Sequence, residues 1–130
     1  MKAQSAPLRI FLVEDHPDTM DYLKMYLEQL GHTVLSAGSM QEALEALPRA
    51  DCDVLISDLG LPDGLGWDLL SRLQPRRPLY AVAMSGFNRA ADIAQSKATG
   101  FHHHLRKPFT IQDLNKVLDE AREFAASSPN

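Results

Sequence analysis

The sequence predicts an α/β domain built on a doubly wound parallel sheet of five strands, with helices on both faces. Three observations carry that reading. Short apolar runs of four to six residues alternate with longer stretches whose apolar residues recur every three or four positions. Five such strand–helix units fill the chain and leave no room for a second domain. The middle run, Val54–Ser57, carries no alternating polar positions, as a central strand covered on both faces requires. Right-handed crossovers then leave few topologies.

The elements follow in order. Leu8–Val13 is the first strand. Pro17 opens a helix at the position where its missing N–H costs nothing, and Met20, Leu23, Leu27 and Leu30 form its apolar stripe up to Gly31. His32–Ser36 is the second strand. Ser39-x-x-Glu42 resembles a capping box for a helix with Met40, Ala43, Leu44 and Leu47 inward, stopped by Pro48. After Val54–Ser57, the Pro62-Asp63-Gly64 turn leads to a helix with Leu65, Leu69, Leu70 and Leu73 inward. Leu79–Met84 is the fourth strand. A helix of weak apolar character runs from about Asn88 to Ala98 and closes at Gly100. Phe101–Leu105 is the fifth strand, and Thr110-x-x-Asp113 caps a last helix carrying Ile111, Leu114, Leu118 and Ala121.

Composition narrows the function classes. At 130 residues, 45% hydrophobic and 23% charged, the chain is too apolar to be disordered. It is long enough to bury roughly 65–70% of its unfolded surface. A lone cysteine, Cys52, excludes an internal disulfide and reads as structural. The formal charge of −4 and pI near 5.6 oppose a nucleic-acid surface. No apolar run reaches membrane-spanning length, and Met1–Pro7 lacks a signal-peptide core. The expected location is cytoplasmic.

In doubly wound sheets, ligands bind beyond the carboxyl ends of the strands. The residues there are Glu14 and Asp15, Asp58, Ser85 and Lys107. Three converging carboxylates repel one another, and a divalent cation relieves that repulsion. Mg²⁺ held by few carboxylates keeps positions open for phosphate oxygens, and an aspartate is a competent nucleophile for phosphorus.

The segments FLVEDHPD, VLISDLGLPDG, AMSGF and LRKPF, in that order at strand ends, resemble the response-regulator receiver domain, the phosphoacceptor module of two-component signalling. The resemblance spans 8–124, with 1–7 as an N-terminal extension and 125–130 as a disordered tail. It implies a flavodoxin-like fold with strand order 2-1-3-4-5. It also implies roles. Asp58 resembles the phosphoacceptor, and Asp15 the direct Mg²⁺ ligand with Glu14 as its acidic partner. Asp58 and the backbone carbonyl of Gly60 complete the protein's metal ligands. Lys107 would pair with the phosphoryl oxygens, Ser85 would donate to them, and Pro108 would follow a cis peptide bond. The implied donor is a histidine kinase or a histidine phosphotransfer protein, and the implied reader is a downstream protein. No direct contact with nucleic acid or membrane is implied. The domain would catalyse transfer onto its own aspartate and its own dephosphorylation, and would not turn over as an enzyme.

Each residue also has a plainer reading. Glu14-Asp15 taken alone reads as a cap for the first helix, Asp58 as a loop residue, Ser85-Gly86 as a turn and Lys107 as a solvated charge. Pro62-Asp63-Gly64 is kept as a turn and Trp67 as a packing residue. The complete set in order opposes a receiver-like binding module that works without phosphorylation. Glu14-Asp15-His16 lacks the DxD pair of Asp-nucleophile phosphohydrolases, and no phosphate-binding loop of flavodoxin type follows the first strand.

Two positions depart from the family pattern. His104 stands where receivers carry Tyr or Phe, so Ser85 and His104 form the expected switch pair, with His104 entering space opened when Ser85 moves. Gly60 has no side chain to shield the acceptor, a task that falls to Phe87. In His102-His103-His104 the strand pleat places His102 and His104 on one face. No third ligand accompanies them, so no zinc or nickel site is expected.

Overall fold

The computed structural model describes residues 7–73, 78–86 and 90–127. Strand β1 (Arg9–Val13) shows how the sheet is held. Ile10 and Leu12 enter one apolar cluster and Phe11 and Val13 the other, all of them buried, as pleat alternation requires. Burying a side chain of this size stabilises by about 1.5–3 kcal/mol.

β1 pairs in parallel with β2 (Thr33–Ala37) and with β3 (Val54–Asp58). β3 pairs with β6 (Tyr80–Ser85), and β6 with β7 (His103–Arg106). The order β2-β1-β3-β6-β7 is the expected 2-1-3-4-5, because β4 (Gly60–Leu61) and β5 (Gly64–Leu65) form a separate antiparallel hairpin. Helices α1 (Pro17–Gln29) and α5 (Ile111–Ser127) cover one face through Leu23, Leu27, Leu114, Val117 and Leu118. Helices α2 (Met40–Ala50) and α3 (Leu69–Leu73) cover the other through Ala43, Leu47, Leu69 and Leu73. Helix α4 (Ala90–Ala98) lies against β7.

The caps explain the helix boundaries. Ser39 Oγ accepts the Glu42 N–H at 3.2 Å, and Glu42 in turn accepts the Gly38 N–H at 2.8 Å. Thr110 and Asp113 exchange backbone-to-side-chain bonds at 3.0 Å. Gly31 (φ 97°) and Gly100 (φ 105°) close α1 and α4 in the left-handed region.

Five expectations are corrected. Pro48 does not stop α2, which runs to Ala50 and closes at Asp51 (φ 55°). In the last turn a proline forfeits one N–H bond, and the Ala50 carbonyl is held by Arg9 Nη2 at 3.4 Å. Leu65 does not point inward from a helix. It is exposed in the hairpin, and a 3₁₀ turn (Gly66–Asp68) separates it from α3. The last strand begins at His103, with Phe101 buried in the preceding loop. Consequently His102 and His104 do not share a face. The His102 ring stacks on Tyr80 and meets Phe124 of α5, and His103 Nδ1 lies 3.2 Å from Glu120 of the same helix. His104 instead reaches α4. Helix α5 continues to Ser127, so 125–127 are helical rather than part of a tail. Phe87, Asn88, 1–6 and 128–130 lie outside the described residues.

Candidate functional site

The register brings the strand ends together: Val13 faces Ser57, Asp58 faces Met84, and Ser85 faces Arg106. Glu14 leaves β1 with its N–H on Ala37 O at 3.1 Å, and Lys107 leaves β7 with its N–H on Ser85 O at 2.8 Å. The Lys107–Pro108 bond is cis, as expected.

The side chains converge on one ammonium. Lys107 Nζ donates to Glu14 Oε1 at 2.9 Å and to Asp58 Oδ2 at 3.2 Å. Asp58 Oδ1 accepts the Gly60 N–H at 3.0 Å. Burial raises the Asp58 pKa above the ordinary carboxylate value, the Gly60 N–H and Lys107 offset this in part, and the Glu14 charge adds to it. Burial also pushes Glu14 upward, but its bonds to Lys107 and His16 outweigh that and hold it low. Lys107 is lowered by burial and raised further by the two carboxylates, so its pKa stands above the ordinary lysine value.

Glu14 does not cap α1. Its Oε2 accepts the His16 N–H at 3.1 Å and His16 Nδ1–H at 2.9 Å, and α1 has no side-chain cap. The exposed His16 ring also lies 3.3 Å from Asp15 Oδ1. The Glu14 bond, then the two carboxylate charges, raise the His16 pKa.

The donor set suits a hard divalent cation. Glu14, Asp15, His16 and Asp58 each place a ligand atom within 4.8 Å of the others. Among the described residues Asp15 Oδ1 is buried and accepts no hydrogen bond, despite the His16 ring 3.3 Å away, a cost that a cation would remove. Oxygen-rich, negatively charged groups of this kind match Mg²⁺.

Ser85 is buried, and its Oγ lies 3.1 Å from His104 Nε2. His104 Nδ1 lies 2.9 Å from Ser96 Oγ, which accepts Trp67 Nε1–H at 2.9 Å and reaches Asp92 O at 3.2 Å. His104 thus faces Ser85 across one ring nitrogen and Ser96 of α4 across the other. Trp67 packs against the core as read, and its indole N–H also joins this chain of bonds.

The sequence reading missed Gly66, Ser96 and Asp63. A Cβ on Gly66 would lie 2.4 Å from Asp58 O and 2.9 Å from Leu59 Cα, so the turn presses against the acceptor's own backbone. Nothing in the sequence signals that approach. Ser96 did leave a signal: Asp92 and Ser96, four apart, are the polar face of a weakly apolar helix and are buried. The Asp63 carboxylate accepts the Met40 and Gln41 N–H groups at 2.8 and 2.9 Å, so the turn carries a cap for α2.

Comparison with known proteins agrees with this geometry. Residues 10–119 match the family described as response regulator receiver domain. An uncharacterized 14.6 kDa protein of Leptolyngbya boryana is 32% identical over 118 residues, covering 88% of this chain and 90% of that protein. Response regulator protein PilR of Pseudomonas aeruginosa is 32% identical over 87% of this chain, which spans 26% of its length. Among solved structures, the non-phosphorylated HemR receiver domain of Leptospira biflexa superposes with a TM-score of 0.84. That pair is 27% identical, covering 95% of this chain and 98% of that one. A two-component response regulator from Clostridium difficile shares the fold, with a TM-score of 0.86 at 22% identity over 92% of this chain and 99% of that one.

Proposed function

The chain belongs to the response regulator receiver domain family, and from that premise we propose that Asp58 accepts a phosphoryl group from a phosphohistidine of a sensor kinase or phosphotransfer protein. The observation that carries this reading is the buried Asp58 carboxylate at a strand end, sharing the Lys107 ammonium with Glu14. One Asp58 oxygen attacks phosphorus as the phosphorus–nitrogen bond breaks, and that bond's electron pair leaves on the imidazole. Lys107 follows the charge onto the phosphoryl oxygens. Ser85 donates its hydroxyl proton to the same group.

Glu14, Asp15, Asp58 and the Gly60 carbonyl would hold Mg²⁺, which when bound neutralises phosphoryl charge. Gly60 leaves the acceptor open: an added Cβ would stop 4.0 Å from Asp58 Oδ1. Water reaches the acyl phosphate on that side and attacks phosphorus, releasing inorganic phosphate and returning Asp58 as a carboxylate. No helix among the described residues is long and apolar enough to cross a membrane.

Incubation with Mg²⁺ and acetyl phosphate tests the assignment. Intact-mass measurement should show one hydroxylamine-labile phosphoryl group on the wild type and none on Asp58→Asn. An unchanged yield in Asp58→Asn removes Asp58 from the role.

A further inference from the structure

His16 is set over the acidic pair by the chain itself. It is the last residue before α1, and Pro17 restricts it to the extended backbone it adopts, φ −88° and ψ 116°. Its own N–H bonds Glu14 Oε2 at 3.1 Å, which brings the ring back to the carboxylates. Nδ1 then stands 2.9 Å from Glu14 Oε2 and 3.3 Å from Asp15 Oδ1. Both neighbours are carboxylate oxygens, so what lies between them and the ring nitrogen must be positive. A proton serves Glu14, but among the described residues Asp15 Oδ1 is buried and accepts no hydrogen bond. One proton does not satisfy all three atoms, and one cation can.

We propose that His16 makes this pocket a site for a divalent transition cation of the Zn²⁺ class, held by His16 Nδ1 with carboxylate oxygens of Glu14, Asp15 and Asp58. The inference rests on the reading of Asp58 as acceptor, since its consequence is competition for that carboxylate. Donors around a tetrahedral ion with bonds of about 2.0 Å lie about 3.3 Å apart. Around an octahedral ion with bonds of about 2.1 Å they lie about 3.0 Å apart. The two Nδ1 separations fall near those spacings, and the four ligand atoms all lie within 4.8 Å of one another. Ligand chemistry then decides between cations. Imidazole nitrogen suits Zn²⁺ and its neighbours, whereas Mg²⁺ takes oxygen and water. With Mg²⁺ the ring stays on Glu14. With Zn²⁺ the Nδ1 proton passes to water, Nε2 carries the one proton of the neutral ring, and the freed lone pair binds the ion.

The two cations then act in opposite directions. Mg²⁺ held by few protein groups keeps positions open for phosphoryl oxygens. One nitrogen and three carboxylate oxygens complete a four-coordinate Zn²⁺ site, which leaves no such position and ties up the Asp58 oxygen that would attack phosphorus. Zn²⁺ therefore competes with Mg²⁺ and blocks phosphorylation. The His102-His103-His104 run is not a rival site: His102 Nδ1 accepts the Ala81 N–H at 3.0 Å, and His103 Nδ1 meets Glu120. Among the described residues, Glu14, Asp15, His16 and Asp58 are the one group of three or more such side chains close enough to share an ion.

The test is an NMR titration of ¹⁵N-labelled chain with Mg²⁺ and, separately, with Zn²⁺. It follows the His16 ring nitrogens and the Gly60 amide, which bonds Asp58 Oδ1 and so reports this site alone. In the wild type both cations should shift Gly60, and only Zn²⁺ should leave the His16 ring protonated at Nε2 and bound at Nδ1. His16→Asn keeps a short side chain able to donate to Glu14. It should weaken Zn²⁺ binding at Gly60 by at least about tenfold, the loss that even outer-shell partners of a metal cause, and change Mg²⁺ binding by less than about twofold. His103→Ala should titrate as the wild type does. With acetyl phosphate and Mg²⁺, added Zn²⁺ should suppress the phosphoryl mass on the wild type at concentrations that His16→Asn tolerates. Equal weakening of both cations in His16→Asn makes the ring a support for Glu14 alone and overturns the proposal. Unchanged Zn²⁺ affinity in that variant overturns it, as does a wild-type ring that ignores Zn²⁺ while Gly60 responds. A chain that binds Zn²⁺ through His16, yet gains no phosphoryl group on Asp58 with Mg²⁺ alone, keeps the metal site and overturns the acceptor reading.

Discussion

Lys107→Met removes the ammonium but keeps an unbranched stem of similar reach, and the structure sets how much that should cost. Lys107 Nζ is shared between Glu14, whose side chain is 0% exposed, and Asp58, at 8%. Removing one partner of a buried ion pair leaves an uncompensated charge and destabilises by about 3–5 kcal/mol. Glu14 keeps two bonds from His16 and Asp58 keeps the Gly60 N–H, so the low end, about 3 kcal/mol, applies. For a domain of this size that is roughly 10 °C in melting temperature.

Asp119→Asn is the matched control. Arg122 Nη1 lies 2.8 Å from Asp119 Oδ1, as close as Lys107 to Glu14, but the Asp119 side chain is 59% exposed. Water reaches the Asp119 end of that pair, although the Arg122 side chain is 16% exposed, and loss of the Asp119 charge should change stability by less than about 1 kcal/mol. Thermal and urea unfolding in metal-free buffer compare the two variants. Adding Mg²⁺ should recover more stability in Lys107→Met than in the wild type, because the ion replaces a missing positive charge. Equal destabilisation by the two variants, or a Lys107→Met melting point within about 2 °C of wild type, would refute the reasoning that burial rather than distance sets the value of these pairs.

Gly66→Ala should destabilise by about 1–3 kcal/mol, because its Cβ meets the Asp58 and Leu59 backbone at 2.4 and 2.9 Å. Gly60→Ala, with a 4.0 Å contact, should leave the melting point near wild type and slow hydrolysis of the acyl phosphate by shielding it; equal melting points in the two variants count against the close approach. Asp63→Ala should lower the melting point by uncapping α2, since its carboxylate holds the Met40 and Gln41 N–H groups, and amide exchange should rise first at those two residues. Stability should also fall in mild acid. Burial, then the Arg122 charge, hold buried His32 below its ordinary pKa while its Nδ1 accepts the Leu8 N–H. The unfolded chain thus binds that proton at higher pH than the fold does. The contribution is whole above about pH 6.5 and is lost as pH falls through the folded value. Unfolding free energies measured down to about pH 5 should fall less steeply in His32→Phe, and identical slopes would exclude His32 as the cause.

The sheet and most of the site were legible because both depend on local pattern and chain order. Each strand is a short apolar run, and the residue that follows it sits at the carboxyl edge wherever the helices pack. Glu14, Asp15, Asp58, Ser85 and Lys107 could therefore be placed together before any contact was known. The misreadings share a different cause. Leu65, Leu69 and Leu73 recur at helical spacing, yet the first belongs to a hairpin, since periodicity does not show where a turn ends. Pro48 reads as a stop, yet it stands within the last turn of α2, where little hydrogen bonding remains to lose. Gly66 against Asp58 and Ser96 against His104 are tertiary meetings between separate elements, and only the folded chain displays them.

Charge explains why this edge is suited to a transient phosphoryl group. Three carboxylates cluster with one ammonium, which pairs with Glu14 and Asp58, and with the His16 ring, so negative charge stays in excess even when that ring is protonated. That excess suits a divalent cation and makes further negative charge costly without one. On the proposed reading, phosphorylation replaces the Asp58 carboxylate with a more highly charged group at the same point, and Lys107 is already within 3.2 Å to meet it. The ammonium cannot serve the phosphoryl group and both carboxylates equally. Glu14 is better placed to give up its share, because His16 already supplies it with two bonds, whereas among the described residues Asp58 has only the Gly60 N–H besides Lys107. On that reading His16 would keep Glu14 satisfied if Lys107 turned towards the new charge, which the acidic pair alone could not do.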